Sequence, residues 1–229
     1  MKNWFQSFEE CLNGSVSTSD LIGAGTANAE RAMGHYRFQH ESKLKDAVAD
    51  TFPTLLKFLG EKWEKIWHEF HAQNKISARS LDWFPEVFLN DYLKSSQPLW
   101  MKELARFEHI LDVHPWTHPA LNLRTDLVPS EDSCVQLGKY EVVHFQAPVV
   151  QLYEAEVIND YHRELRLVIW QKEDGTYYRV MEEWELTVLS KLHQGVETAH
   201  EEAPEDAEKV GAFFQWLGSS CLIQGLSKA

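Results

Sequence analysis

Apolar residues along the first half of the chain recur every three to four positions, the spacing of an amphipathic helix. Trp4, Phe5, Phe8 and Leu12 predict a short helix over Met1–Leu12, and a Gly, Ser, Thr and Ala-rich loop follows over Asn13–Ala29. From Ala29, Tyr36, Leu44, Val48 and Phe52 mark a longer helix that ends where Pro53 removes a backbone donor. Pro53 suits the first turn of the next helix, Thr54–Leu59, and Gly60 stops it. Trp63, Ile66, Trp67 and Phe70 then share one face of a helix over Glu61–Gln73. Ser80 or Asp82 supplies the cap of a helix over Trp83–Leu93, and Leu99–Val113 closes the helical unit. His114 to Pro119, with two prolines, is expected to break the pattern, which places a domain boundary between about 114 and 138.

The period then changes. Lys139–Phe145, Val149–Glu156 and Glu164–Gln171 have strand composition, and the last is the strongest, bounded by the turn signal Glu173-Asp174-Gly175. Thr176–Met181 returns as its hairpin partner. Glu182–His193 is helical and stops at Gly195, Glu197–Glu208 reads as a solvated acidic turn and helix start, and Ala207–Cys221 is a final helix before an apolar end, Leu222–Leu226. The expected fold class is therefore α+β. An all-helical domain over 1–118 and a linker over 119–138 precede a small sheet-plus-helices domain over 139–229. The order of hairpin, helix, acidic loop and helix resembles a shuffled winged-helix module, a class that binds DNA or peptides.

Charge favours the peptide. The net charge is −13, and the excess is spread along the chain, with 14 Lys/Arg against 19 Asp/Glu over 1–138 and 8 against 16 over 139–229. Binding a phosphate backbone requires Lys and Arg to neutralise it, so nucleic acid is an unfavourable partner. A recognition helix at Glu182–His193 would carry three glutamates and one lysine. No apolar run is long enough to span a membrane, and the acidic N-terminal stretch lacks the apolar core of a secretory signal. Cys11, Cys134 and Cys221 are isolated, which suits a reducing cytoplasm.

Candidate chemistry is sparse. His68 and His71 stand one turn apart but lack the HExxH spacing of a zinc site, and a polar helix face accounts for them. His109, His114 and His118 flank the Pro115-Trp116 segment and read as surface or interdomain groups. Neither a nucleophile elbow, nor GxGxxG, nor a phosphate loop is present. Neither a catalytic residue nor a metal ligand is expected in this chain. Peptide binding is the more promising reading. If Glu164–Gln171, with Leu167 and Ile169, or Val149–Glu156 forms a sheet edge, its backbone can accept an added strand. Arg163, Arg166 and Arg179 gather near the hairpin and could receive an acidic segment.

Three helical stretches, FPTLLKFLGEKWEKIWHEF, SLDWFPEVFLNDYL and QPLWMKELARFEHIL, resemble the N-terminal domain of the HvfC/BufC family, long labelled a DNA-binding domain. RLVIWQKEDGTYYRVMEEWELTVLSKLHQG and FFQWLGSSCLIQG are similar to that family's C-terminal hairpin, helix and tail. The resemblance runs from about Arg31 and leaves residues 1–30 unaligned. It rests on patterned hydrophobic and aromatic positions. It implies a partner protein for the maturation of ribosomally made, modified peptides, distantly like the methanobactin partner subunit. Such a chain holds no iron itself. It docks on a TIM-barrel multinuclear iron oxygenase, expected here through Trp83, Phe84 and Trp100, and its C-terminal sheet receives the precursor leader. The alternative, from another class, is a DNA-binding transcription regulator.

Overall fold

The computed structural model describes residues 7–8, 10–11, 17, 27–74, 83–117, 133–155, 163–172 and 175–228, with backbone alone at 27–29, 114–117, 133 and 224–228. The chain is α+β and divides into two compact units between His109 and Ile110. The expected capping residues Ser80 and Asp82, and most of the short N-terminal helix, lie outside the described residues.

The first unit is helical. Helix α1 (Ala27–Thr51) buries Met33, Leu44 and Val48, and Phe52 continues that row inward as the backbone leaves helical geometry. Pro53 opens α2 (Pro53–Leu59), where its missing N–H costs nothing. Gly60 ends α2 at φ 51°, a left-handed conformation natural to glycine. Helices α3 (Lys62–Gln73) and α4 (Phe84–Lys94) and the part of α5 (Leu99–Thr117) up to His109 complete the unit's framework.

Phe88 of α4 is the hub of the core. Its ring centroid lies 5.4 Å from Phe52, 5.6 Å from Trp63, 5.2 Å from Phe70 and 5.6 Å from Tyr92. Edge-to-face geometry with Trp63 and Phe70 adds quadrupole attraction to the burial of apolar area. Helix α5 continues through Pro115 to Thr117, past the expected break. A proline forfeits one helical hydrogen bond, but its fixed φ suits the helix, and here the penalty falls within the last turn.

Among the described residues the second unit holds two antiparallel sheets. Strand β1 (Ser133–Leu137) pairs with the C-terminal strand β5 (Ile223–Lys228), so residues assigned to the linker and to an apolar tail form a ladder. Strands β2 (Tyr140–Phe145), β3 (Leu165–Lys172) and β4 (Gly175–Val180) form a meander with β3 in the centre. Between β2 and β3, Val149–Ala155 is helix α6, a correction to the expected strand. Pro148 starts the first turn, its carbonyl accepting from Leu152 N at 3.1 Å, and Val149 and Leu152 are buried one turn apart. Two consecutive valines gave the segment a strand-like composition, while Gln151, Leu152, Glu154 and Ala155 favour helix.

Helices α7 (Glu183–Lys191), α8 (Val196–His200) and α9 (Ala207–Ser219) follow the meander, with a 3-10 turn over Leu192–Gln194 between α7 and α8. Gly195, at φ 135°, makes the bend into α8. Val168 and Trp170 of β3 join Met181, Val188, Leu189, Phe213, Leu217, Leu222 and Ile223 in one buried cluster. Trp170 donates its indole N–H to the Ser220 carbonyl at 3.0 Å, which removes the cost of burying that group. Among the described residues no helix is long and apolar enough to cross a membrane.

Candidate sheet edge and aromatic surface

The register of the meander decides which backbone groups face outward. Met181 N donates to Arg166 O at 2.8 Å, fixing 166 and 181 as a hydrogen-bonded pair. Such pairs alternate along an antiparallel ladder, so Arg179 and Tyr177 also direct their backbone toward β3. The N–H and C=O groups of Thr176, Tyr178 and Val180 therefore point away from β3. By the same alternation, Tyr140, Val142 and His144 direct theirs outward from β2. Neither outer side pairs with a further strand among the described residues. Val180 is 42% exposed and Val142 49% exposed.

Strand β3 itself offers no edge. Leu167 and Ile169 lie in the central strand with their side chains fully buried, so neither can touch an added peptide. The composition that marked β3 as a strong strand is that of a strand covered on both faces. Val168 and Trp170 face the helical cluster. On the other face, Tyr178, opposite Ile169, donates its hydroxyl to Glu154 of α6 at 2.8 Å. Burial, and after it that carboxylate, pushes the Tyr178 hydroxyl well above the ordinary tyrosine range.

The three arginines differ in what they can do. Arg163 is exposed just before β3. Arg166 lies 3.1 Å from Glu183, a largely solvated pair. Arg179 donates to the buried Glu185 at 2.5 Å, and its guanidinium stands 4.2 Å above the Trp216 ring. The Glu185 carboxylate also accepts from the Glu182 backbone N–H at 2.8 Å, so Arg179 ties β4 to the start of α7. It is a structural pin with little capacity left for an incoming acid. Sequence alone missed this role, because Glu185 and Trp216 meet Arg179 only once the sheet has formed.

On the helical unit, Trp83 is 73% exposed at the start of α4, and Val87 one turn later is partly exposed. Phe84 is 1% exposed and packs against Trp67 and Phe70 at 5.9 and 5.4 Å, which removes it from any docking surface. Helical rotation separates these neighbours, turning Phe84 inward with Phe88 and leaving Trp83 outside. Trp100 is half-buried, meeting the edge of Phe58 at 5.2 Å.

His71 stacks on Trp67 at 5.4 Å and faces Glu41 at 3.8 Å, while His68 is exposed. Among the described residues no three His, Cys, Asp or Glu side chains gather as a metal site would require. His109 stacks on Phe52 at 6.2 Å, the side chain of His114 is not described and His118 lies outside the described residues. No protein-family model matches the chain, and no curated protein matches it either.

Proposed function

We propose that this chain is a non-catalytic accessory subunit in the maturation of a ribosomally made peptide, acting in the cytoplasm beside a TIM-barrel multinuclear iron oxygenase. The resemblance to the HvfC/BufC family motivates the partner, and the outer side of β4 is the observation that carries the peptide-binding half. An extended leader adds there as a fourth strand, its backbone meeting the outward groups of Thr176 and Val180. Arg163, exposed beside the sheet, is available to an acidic leader side chain. The exposed Trp83 supplies the aromatic anchor toward the oxygenase, with Trp100 as a lesser contact. Iron belongs to the partner. This chain contributes rate by holding the precursor cysteine at that iron, which is a proximity effect.

Tagged full-length protein recovered from its native host, with mass spectrometry and iron determination of the eluate, tests this reading. A stoichiometric iron-containing barrel protein is the expected result. Recovery of the chain alone with bound DNA fragments, released steeply by salt, would instead establish the regulator.

A further inference from the structure

Thr176 and Val180, whose backbones face outward from β4, present different chemistry to an added strand. Both side chains lie on the α6 side of the sheet, with Tyr178 between them. The Tyr178 hydroxyl is committed to Glu154, so its ring is held in place. Val180 is 42% exposed, apolar surface that a neighbouring strand would cover.

Thr176 is the opposite case. Its Oγ1 is shut off from water and has no hydrogen-bond partner among the described residues. Gln171 stands across from it on β3, in the closer, non-hydrogen-bonded type of pair, and does not supply one. A hydroxyl left in that state destabilises the free chain. Rotation about χ1 exchanges its methyl and hydroxyl, which can turn the oxygen toward the open edge. In an antiparallel ladder each outward residue makes both backbone bonds to a single partner, whose side chain stands beside its own. The residue facing Val180 therefore precedes the one facing Thr176 by four positions.

We propose that the outer side of β4 selects its peptide through two side chains. An apolar residue sets against Val180, and four positions later a serine, threonine or asparagine completes the Thr176 hydroxyl. The inference rests on strand addition at β4 and adds to it the sequence class of the leader.

The probe is fluorescent acetyl-Thr-Glu-Ile-Lys-Val-Glu-Xaa-Lys-Thr-amide, Xaa being Thr or Val, titrated with the full chain by anisotropy. The Thr peptide should bind about fivefold more tightly, because only it offers the hydroxyl a partner. Thr176→Val should erase or reverse that preference, and should raise the melting temperature of the free chain. Val180→Thr should weaken both peptides by a similar factor. Val180→Pro should abolish binding of both. Binding that Val180→Pro abolishes but that ignores the test residue would overturn the selection and leave strand addition standing. No binding, or binding indifferent to Val180→Pro, would remove the added strand and the selection with it. A dimer in sedimentation that Val180→Pro dissolves would give the edge to a second copy of this chain, against the proposal.

Discussion

Glu108, buried on α5, accepts a hydrogen bond from the backbone N–H of Thr54 at 2.7 Å, and its second oxygen accepts from Leu55 at 3.0 Å. These donors lie in the first turn of α2, which no local side chain caps. A carboxylate 54 residues away in sequence thus does the work of an N-cap and locks α5 against the start of α2.

Removing that carboxylate leaves two buried donors without an acceptor. Glu108→Ala should cost about 2–4 kcal/mol, measured by urea unfolding. Burial outweighs the two backbone hydrogen bonds and raises the Glu108 carboxyl above its ordinary 4.5. The folded state then binds more protons than the unfolded one, so this group's contribution to stability declines as pH rises from 4.5 through the raised value and is level above it. Glu108→Gln should remove that slope, read as melting temperature against pH.

His40 works in the opposite direction. Its Nε2 is buried without a hydrogen-bond partner among the described residues. Burial, followed by the charges of His71 and Lys43, lowers its pKa below the ordinary 6.5. The unfolded state binds the extra proton, so stability is full above 6.5 and is lost as pH falls toward the folded value. His40→Gln should flatten the acid loss of melting temperature that sets in as pH falls below 6.5. An unchanged slope would assign that loss to other groups.

Arg179 is predicted to matter for stability more than for leader binding. Arg179→Met leaves the Glu185 carboxylate buried with one backbone donor and should destabilise the second unit by about 3 kcal/mol. Arg163→Gln should leave the unfolding free energy within about 0.5 kcal/mol of unchanged and weaken binding of an acidic leader. Calorimetry on both variants, with a synthetic leader as ligand, separates the two roles.

The two sheet edges can be told apart with proline. Val180→Pro removes an outward N–H of β4, and Val142→Pro an outward N–H of β2, and neither breaks a ladder hydrogen bond. Val180→Pro should weaken leader binding about tenfold or more with folding intact, while Val142→Pro should not. The reverse pattern would move the added strand to β2.

Local signals were legible in the sequence. Trp63, Trp67 and Phe70 announced the buried face of α3, Pro53 and Gly60 the ends of α2, and Glu173-Asp174-Gly175 the β3–β4 hairpin. Non-local pairing was not legible. Cys134 meets Ser227 across most of the second unit, and neither segment carries a nearby turn that would reveal a partner. Leu167 and Ile169 illustrate the same limit at the candidate site. Their composition identified a strand, but only the register shows that strand to be central and the edge to pass to Thr176, Tyr178 and Val180. Trp83 and Phe84 were indistinguishable as types, and the rotation of α4 separates them.

Reconstitution tests the central claim most directly. The purified iron oxygenase and its precursor peptide are incubated with and without this chain, and modification of the precursor cysteines is followed by mass spectrometry. The account predicts that modification depends on this chain, is lost with Val180→Pro or a leaderless precursor, and leaves this chain free of iron. Full modification by the oxygenase alone, or undiminished activity with Val180→Pro and a leaderless precursor, would contradict it.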